Sequence, residues 1–122
     1  MAKKIKKILI AEDDPFLTKV LGTILEDEGF SVDRASDGNE ALKKIMKDGH
    51  SLVLLDLIMP GKTGFEVLEE AKKMKIKTPI LVFSNLSQDE DKKEALSLGA
   101  KGFYVKSDMS IDEIVKAVKK YF

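Results

Sequence analysis

The chain contains no cysteine, which removes disulfides, thiolate nucleophiles and thiolate metal sites from consideration and fits a cytoplasmic protein. It also carries no net charge, because 21 lysines and arginines are matched by 21 aspartates and glutamates. Such a balance lacks the basic field that non-specific nucleic-acid binding requires, so no direct nucleic-acid partner is expected. No apolar run approaches the roughly 20 residues of a bilayer-spanning helix, and no membrane partner is expected. The basic opening, Met1 to Lys7, leads into only Ile8-Leu9-Ile10-Ala11, too short for the core of a signal peptide. Internal repeats, linkers and low-complexity tracts are absent as well. A chain of 122 residues is large enough for one domain with a real core, so residues 1–122 are expected to form a single domain with no output domain.

What is present is a rhythm of short apolar runs and amphipathic stretches. Leu52-Val53-Leu54-Leu55 runs straight into Asp56, and Pro60 and Gly61 follow with a turn. An unbroken apolar run of this kind suits a strand covered on both faces, as at the centre of a parallel sheet. Ile8 to Ala11 is a second such run, ending in Glu12-Asp13-Asp14, and Ile80 to Phe83 is another, ending in Ser84-Asn85. Ser31 to Ala35 reads as a strand nearer the edge, and Gly102 to Val105 as a fifth strand ending in Lys106. Helices are expected between them. The first opens at Pro15 with help from Asp14, and Gly29 stops it; Ser36 or Asp37 caps the second, with Ala41, Leu42, Ile45 and Met46 inward. Thr63 caps a third with Phe65, Leu68 and Ala71 inward, which leaves Asp56 free for other work. A weakly amphipathic fourth spans about 88 to 98, and Ser110 caps a fifth. Five strands alternating with five helices predict an α/β fold, a (βα)5 doubly wound parallel sheet.

In such a sheet every strand ends at the same edge, where ligands bind. That edge collects Glu12, Asp13, Asp56, Ser84 and Lys106. Each alone has a bland reading as a cap, a turn residue or a solvated charge, but together they converge in chain order. Three carboxylates in one pocket repel, so the site calls for a cation, and hard oxygen ligands without His or Cys select Mg²⁺. A metal with a lysine and a hydroxyl opposite would neutralise a transferring phosphoryl group. Asp56 is the natural nucleophile, since carboxylates form acyl-phosphates. The lone His50 is expected at the surface, outside the chemistry.

With these residues in place the chain resembles a response-regulator receiver domain of two-component signalling, over essentially its whole length. The matching motifs are Ile-Leu-Ile-Ala-Glu-Asp-Asp, Leu-Leu-Asp-Leu-Ile-Met-Pro, Leu-Val-Phe-Ser-Asn and Gly-Phe-Tyr-Val-Lys-Ser. The resemblance implies a flavodoxin-like sheet of order 2-1-3-4-5 and phosphorylation of Asp56 by a histidine kinase or phosphotransfer protein. It implies Mg²⁺ held by Glu12, Asp13, Asp56 and the main-chain carbonyl of Ile58, with Lys106 beside the phosphoryl group. Ser84 and Phe103 would be the switch pair, acting on a downstream protein target through a surface that includes the fourth helix. A homodimer formed on phosphorylation is left open. Ile58 and Leu86 would border the approach of water, two positions after the acceptor and the hydroxyl, and both are apolar. The chain departs from the family pattern at Ser107, where proline is usual, at Asn85, where a small residue is usual, and at Glu12, where Asp is common. Two other classes use the same fold or nucleophile: an aspartyl-phosphate phosphatase, which would carry an acid where Ile58 stands, and a receiver-like interaction module that takes no phosphate.

Overall fold

The computed structural model describes residues 5–122; the first four residues of the basic lead-in lie outside the described residues. The chain alternates β1 (Lys7–Ala11), α1 (Pro15–Asp27), β2 (Ser31–Ala35), α2 (Gly38–Met46), β3 (Leu52–Leu55), α3 (Gly64–Lys73), β4 (Ile80–Ser84), α4 (Asp89–Ser97), β5 (Gly102–Val105) and α5 (Ile111–Lys119). A short 3-10 turn over Lys106–Asp108 separates the last two. The strands form one sheet of order β2-β1-β3-β4-β5, and all four pairings are parallel. The expected doubly wound, flavodoxin-like architecture is therefore the observed one.

Strand alternation divides the core into two layers. Leu9, Ala11, Val53, Leu55 and Val82 face α2, α3 and α4, where they meet Ala41, Ile45, Val67, Leu68, Ala71 and Ala95. Ile8, Ile10, Leu52, Leu54, Leu81 and Phe83 face the other way, onto Leu21 and Leu25 of α1 and Ile114, Val115 and Val118 of α5. Each fully buried aliphatic side chain contributes about 1.5–3 kcal/mol of transfer free energy. The three central strands are thus apolar on both faces, which is why they read as unbroken runs.

Helix starts follow local capping chemistry. The Asp14 side chain accepts from the Phe16 and Leu17 amides at 3.0 and 3.3 Å, with Pro15 at the first helical position. Of the two candidates for α2 the cap is Asp37, which accepts from Glu40 N at 2.8 Å. Thr63 with Glu66, and Ser110 with Glu113, form reciprocal capping boxes. Helix α4 has no side-chain cap, and Ala95 is its sole buried residue.

Three expectations need correction. On α3, Val67 joins Leu68 and Ala71 in the core while Phe65 packs half-buried against it, because the helix turns its fourth and fifth positions onto the sheet. Met46, expected inward, is 46% exposed at the end of α2. His50 is not a surface residue: its side chain is only 6% exposed, and its Nε2 lies 2.9 Å from Asp33 Oδ2. Its Nδ1 has no hydrogen-bond partner among the described residues. Asp33 also accepts from Lys44 Nζ at 2.9 Å, so one carboxylate of the edge strand ties down both α2 and the loop before β3.

Burial works to raise the Asp33 pKa, but the hydrogen bonds from Lys44 and His50 more than offset it and bring it from 3.8 to about 2. A depressed carboxylate pKa contributes stability above the unfolded value, and that contribution disappears as the pH falls through the folded value. Asp33→Asn should therefore lower the unfolding free energy by about 1 kcal/mol at pH 6, after allowance for solvent screening. The gap from wild type should close near pH 2. Urea titrations at the two pH values check this, and a gap that persists at low pH would contradict it.

Candidate functional site

Parallel register brings the site together. Ala11 pairs with Leu55, so Glu12 and Asp56 leave adjacent strands side by side. Their backbones remain tethered just beyond the strands: Asp56 N donates to Ala11 O at 3.0 Å, and Glu12 N donates to Ala35 O at 3.0 Å. Ser84 pairs with Val105, which places Asn85 and Lys106 next to each other at the same edge. From the helix side, α3 presses on the acceptor loop. A Cβ on Gly64 would lie 2.5 Å from the Asp56 carbonyl oxygen and 2.6 Å from Leu57 Cα, so only glycine allows this approach.

Glu12 and Asp56 are each 5% exposed, Ser84 is fully buried, and Asp13 is exposed. Lys106 reaches between the two buried acids. Its Nζ donates to Glu12 Oε1 and, at 2.9 Å, to Asp56 Oδ2, while standing 5.5 Å from the Phe83 ring centroid. The remaining oxygens are also engaged. Asp56 Oδ1 accepts from Ile58 N at 3.2 Å, and Glu12 Oε2 accepts from Asp14 N at 3.1 Å. Ser84 Oγ accepts from Leu86 N at 3.4 Å, so its hydroxyl proton is not committed by that bond. Phe103 is half-buried and packs on the core layer beneath α4, whereas Tyr104 packs on the opposite layer.

Glu12, Asp13 and Asp56 each offer an oxygen, and these oxygens lie within 4.8 Å of one another. The group surrounds an open depression of about 240 Å³ whose rim includes Ile58, Asn85 and Lys106. A larger groove of about 810 Å³ runs alongside, between α1 and β2, and shares Glu12 and Asp13. It lacks Asp56 and Lys106, which line the smaller depression, so the chemistry belongs there. Leu86, expected at the rim with Ile58, instead packs against the core layer, and Asn85 stands at the rim in its place. The bulk of Asn85 at the entrance was legible as a departure from the family pattern, but its hydrogen bond to Ser107 N was not. It depends on a main-chain partner, and only the pairing of β4 with β5 puts that partner within reach.

Carboxylates outnumber the ammonium in this cluster, so it holds protons tightly at both kinds of group. Burial raises the Glu12 pKa, and the bond from Lys106 lowers it without cancelling that effect; the charge of Asp56 adds to the rise. Burial works to lower the Lys106 pKa, but its bonds to Glu12 and Asp56 prevail and raise it. Lys106 is therefore a fixed cation. With three acids against one ammonium, the charge deficit and the all-oxygen donor set fit a hard divalent ion such as Mg²⁺.

That deficit has a measurable cost. A group whose folded pKa is raised favours its protonated form, and its stabilising contribution is lost as the pH rises through the folded value. An ionised Glu12 at neutral pH therefore strains the fold, and every further negative charge crowded into the cluster adds repulsion. Removing one charge with Asp13→Asn should raise the melting temperature in chelator by about 2–5 °C. The rise in melting temperature on adding Mg²⁺ should be much smaller in the variant than in wild type. Equal Mg²⁺ responses in thermal melts of the two proteins would count against a metal site.

Comparison with known proteins agrees with the geometry. The family model for the response regulator receiver domain matches residues 8–119. The transcriptional regulatory protein DltR of Streptococcus agalactiae is 33% identical over 113 residues, covering 93% of this chain and 50% of that protein. The chain thus spans about half the length of the curated relatives it matches first. The receiver domain of the Francisella response regulator 1452 has a TM-score of 0.88 at 32% identity, covering 95% of each chain. The response regulator protein TrrA of Thermotoga maritima, in complex with Mg²⁺ and BeF, has a TM-score of 0.84 at 35% identity, covering 97% of this chain and 100% of that one. A family match over nearly all of the sheet and helices, joined to a strand-end cluster of acids and lysine, leads to one assignment: the chain belongs to the response regulator receiver domain family of two-component signalling.

Proposed function

We propose that the chain accepts a phosphoryl group on Asp56 from the phosphohistidine of a histidine kinase or phosphotransfer protein, and then switches a surface that binds a downstream protein. The observation that supports this most is the Lys106 ammonium lodged between buried Glu12 and Asp56. It leaves the Asp56 carboxylate oriented and open to a depression on one side. In the transfer, an Asp56 oxygen attacks phosphorus as the phosphorus–nitrogen bond breaks. The bonding pair returns to the imidazole, and the product is an acyl-phosphate. Asp13, Asp56 and the Ile58 carbonyl, with Glu12 in support, would hold Mg²⁺, which supplies charge neutralisation for the phosphoryl oxygens when bound. Lys106 then pairs with a phosphoryl oxygen. Beryllium fluoride is a tetrahedral analogue of a phosphoryl group, so its presence with Mg²⁺ on the related TrrA supports the same reading. We place the protein in the cytoplasm; no helix among the described residues is long and apolar enough to cross a membrane.

The switch follows from differential contact. In the acyl-phosphate the Ser84 hydroxyl gains an acceptor that the free site does not offer, and that gain biases the loop after β4. Phe103, half-buried beneath α4, would follow into the space that Ser84 leaves as it moves toward the phosphoryl group. A phosphatase reading would need an acid at position 58, where Ile58 stands 56% exposed.

Incubation with acetyl phosphate and Mg²⁺ should label the wild type once per chain. Asp56→Asn should lose that labelling while melting as a folded protein. Ser84→Ala should still be labelled but fail to shift the resonances of Phe103 and α4. Wild-type labelling of Asp56→Asn would remove the assignment, continuous turnover would indicate a phosphatase, and no labelling of wild type would leave an interaction module.

A further inference from the structure

Residues 85 and 107 are two of the three places where the chain departs from the receiver pattern, and the structure joins them. Because Ser84 and Val105 are register partners, Asn85 and Lys106 leave the sheet together, with Ser107 one residue further on. Asn85 Oδ1 accepts a hydrogen bond from Ser107 N at 3.1 Å. The bond uses the backbone of Ser107, so a proline at 107 could not supply it. A short side chain at 85 could not receive it. The two substitutions therefore make chemical sense only as a pair.

The bond's position matters because of what Lys106 lacks. Lys106 begins a single 3-10 turn without a side-chain cap, held by a 3.3 Å bond from Met109 N to Lys106 O. It follows β5, a half-buried strand at the edge of the sheet. Its ammonium must nevertheless be held between Glu12 and Asp56. Asn85 also stands on the rim of the depression, so its bulk narrows the entrance while its oxygen ties down the next loop.

Given phosphorylation of Asp56, we infer that Asn85 is a positioning residue. Through the Ser107 N–H it fixes the Lys106 loop against the Ser84 loop, and through its bulk it restricts small phosphoryl donors. The two actions separate in kinetics. The tie affects the maximal rate of labelling, and the bulk affects the donor concentration at half-maximal rate.

The test measures labelling by acetyl phosphate at saturating Mg²⁺ across a set of variants. Asn85→Leu keeps the bulk and loses the acceptor, and Ser107→Pro loses the donor. Each should lower the maximal rate about two- to tenfold, the range expected for one hydrogen bond, with the half-saturating concentration unchanged. Asn85→Ala should lower the maximal rate equally and also lower the half-saturating concentration. Ser107→Ala keeps the N–H and should match wild type. Asn85→Leu combined with Ser107→Pro should be no slower than either single variant, since both remove the same bond. Should Ser107→Pro fail to fold, Asn85→Leu against Ser107→Ala carries the comparison alone. Unchanged maximal rates, or independent losses that multiply in the double variant, would overturn the inference. Absence of labelling in wild type would instead overturn the proposed function.

Discussion

Two carboxylates buried side by side cannot both stay ionised in this fold without a cation between them. Desolvating Glu12 and Asp56 is costly, and their mutual repulsion adds to that cost. The ammonium of Lys106 resolves it by bonding to both. The partners are far apart in sequence: 94 residues separate Lys106 from Glu12, and 50 separate it from Asp56. The compensating charge is in place only when β5 has docked beside β4, and β4 beside β3. Charge balance at the site is therefore a property of the completed sheet, and a partly assembled sheet would expose the two acids to each other and to water.

The legible parts of the sequence were those where one residue type has one physical use. Ile8 to Ala11, Leu52 to Leu55 and Ile80 to Phe83 are buried on both faces, so their continuous hydrophobicity identified them as central strands. Asp14, Thr63 and Ser110 stand before helices and cap them, because a short oxygen-bearing side chain at that position satisfies free amides. Strand order lies beyond periodicity and came from resemblance. His50 was misread because nothing in its polar surroundings reveals burial; that depends on Asp33, 17 residues earlier on the edge strand. Met46 follows the helical period yet stands 46% exposed, because it is the last residue of α2.

At the site, sequence supplied the residues and the fold supplied their grouping. Glu12, Asp13 and Asp56 are brought within a few ångströms and Lys106 reaches two of them, while Ser84 lies fully buried behind Asp56's edge of the sheet. Leu86 turns inward because an apolar side chain next to a layer of core gains by burial, and it leaves the neighbouring Asn85 amide at the mouth. A bond from a side chain to a main-chain N–H, such as that of Asn85 to Ser107, imposes no partner side chain and so leaves no motif to read.

Helix α4 has an uneven hold on the molecule. One alanine anchors it to the core, no side chain caps its start, and Asp89, Glu90 and Asp91 crowd its first turn. Those acids suit the positive end of the helix dipole, so the helix is supported more by its own electrostatics than by packing. Unwinding or tilting it would expose little apolar surface, and its amides should therefore exchange hydrogen with solvent through local opening while β3 and β4 remain closed. The least anchored helix is thus the one joined directly to the strand that ends in Ser84, and in this fold a small displacement at the site meets its weakest mechanical resistance there.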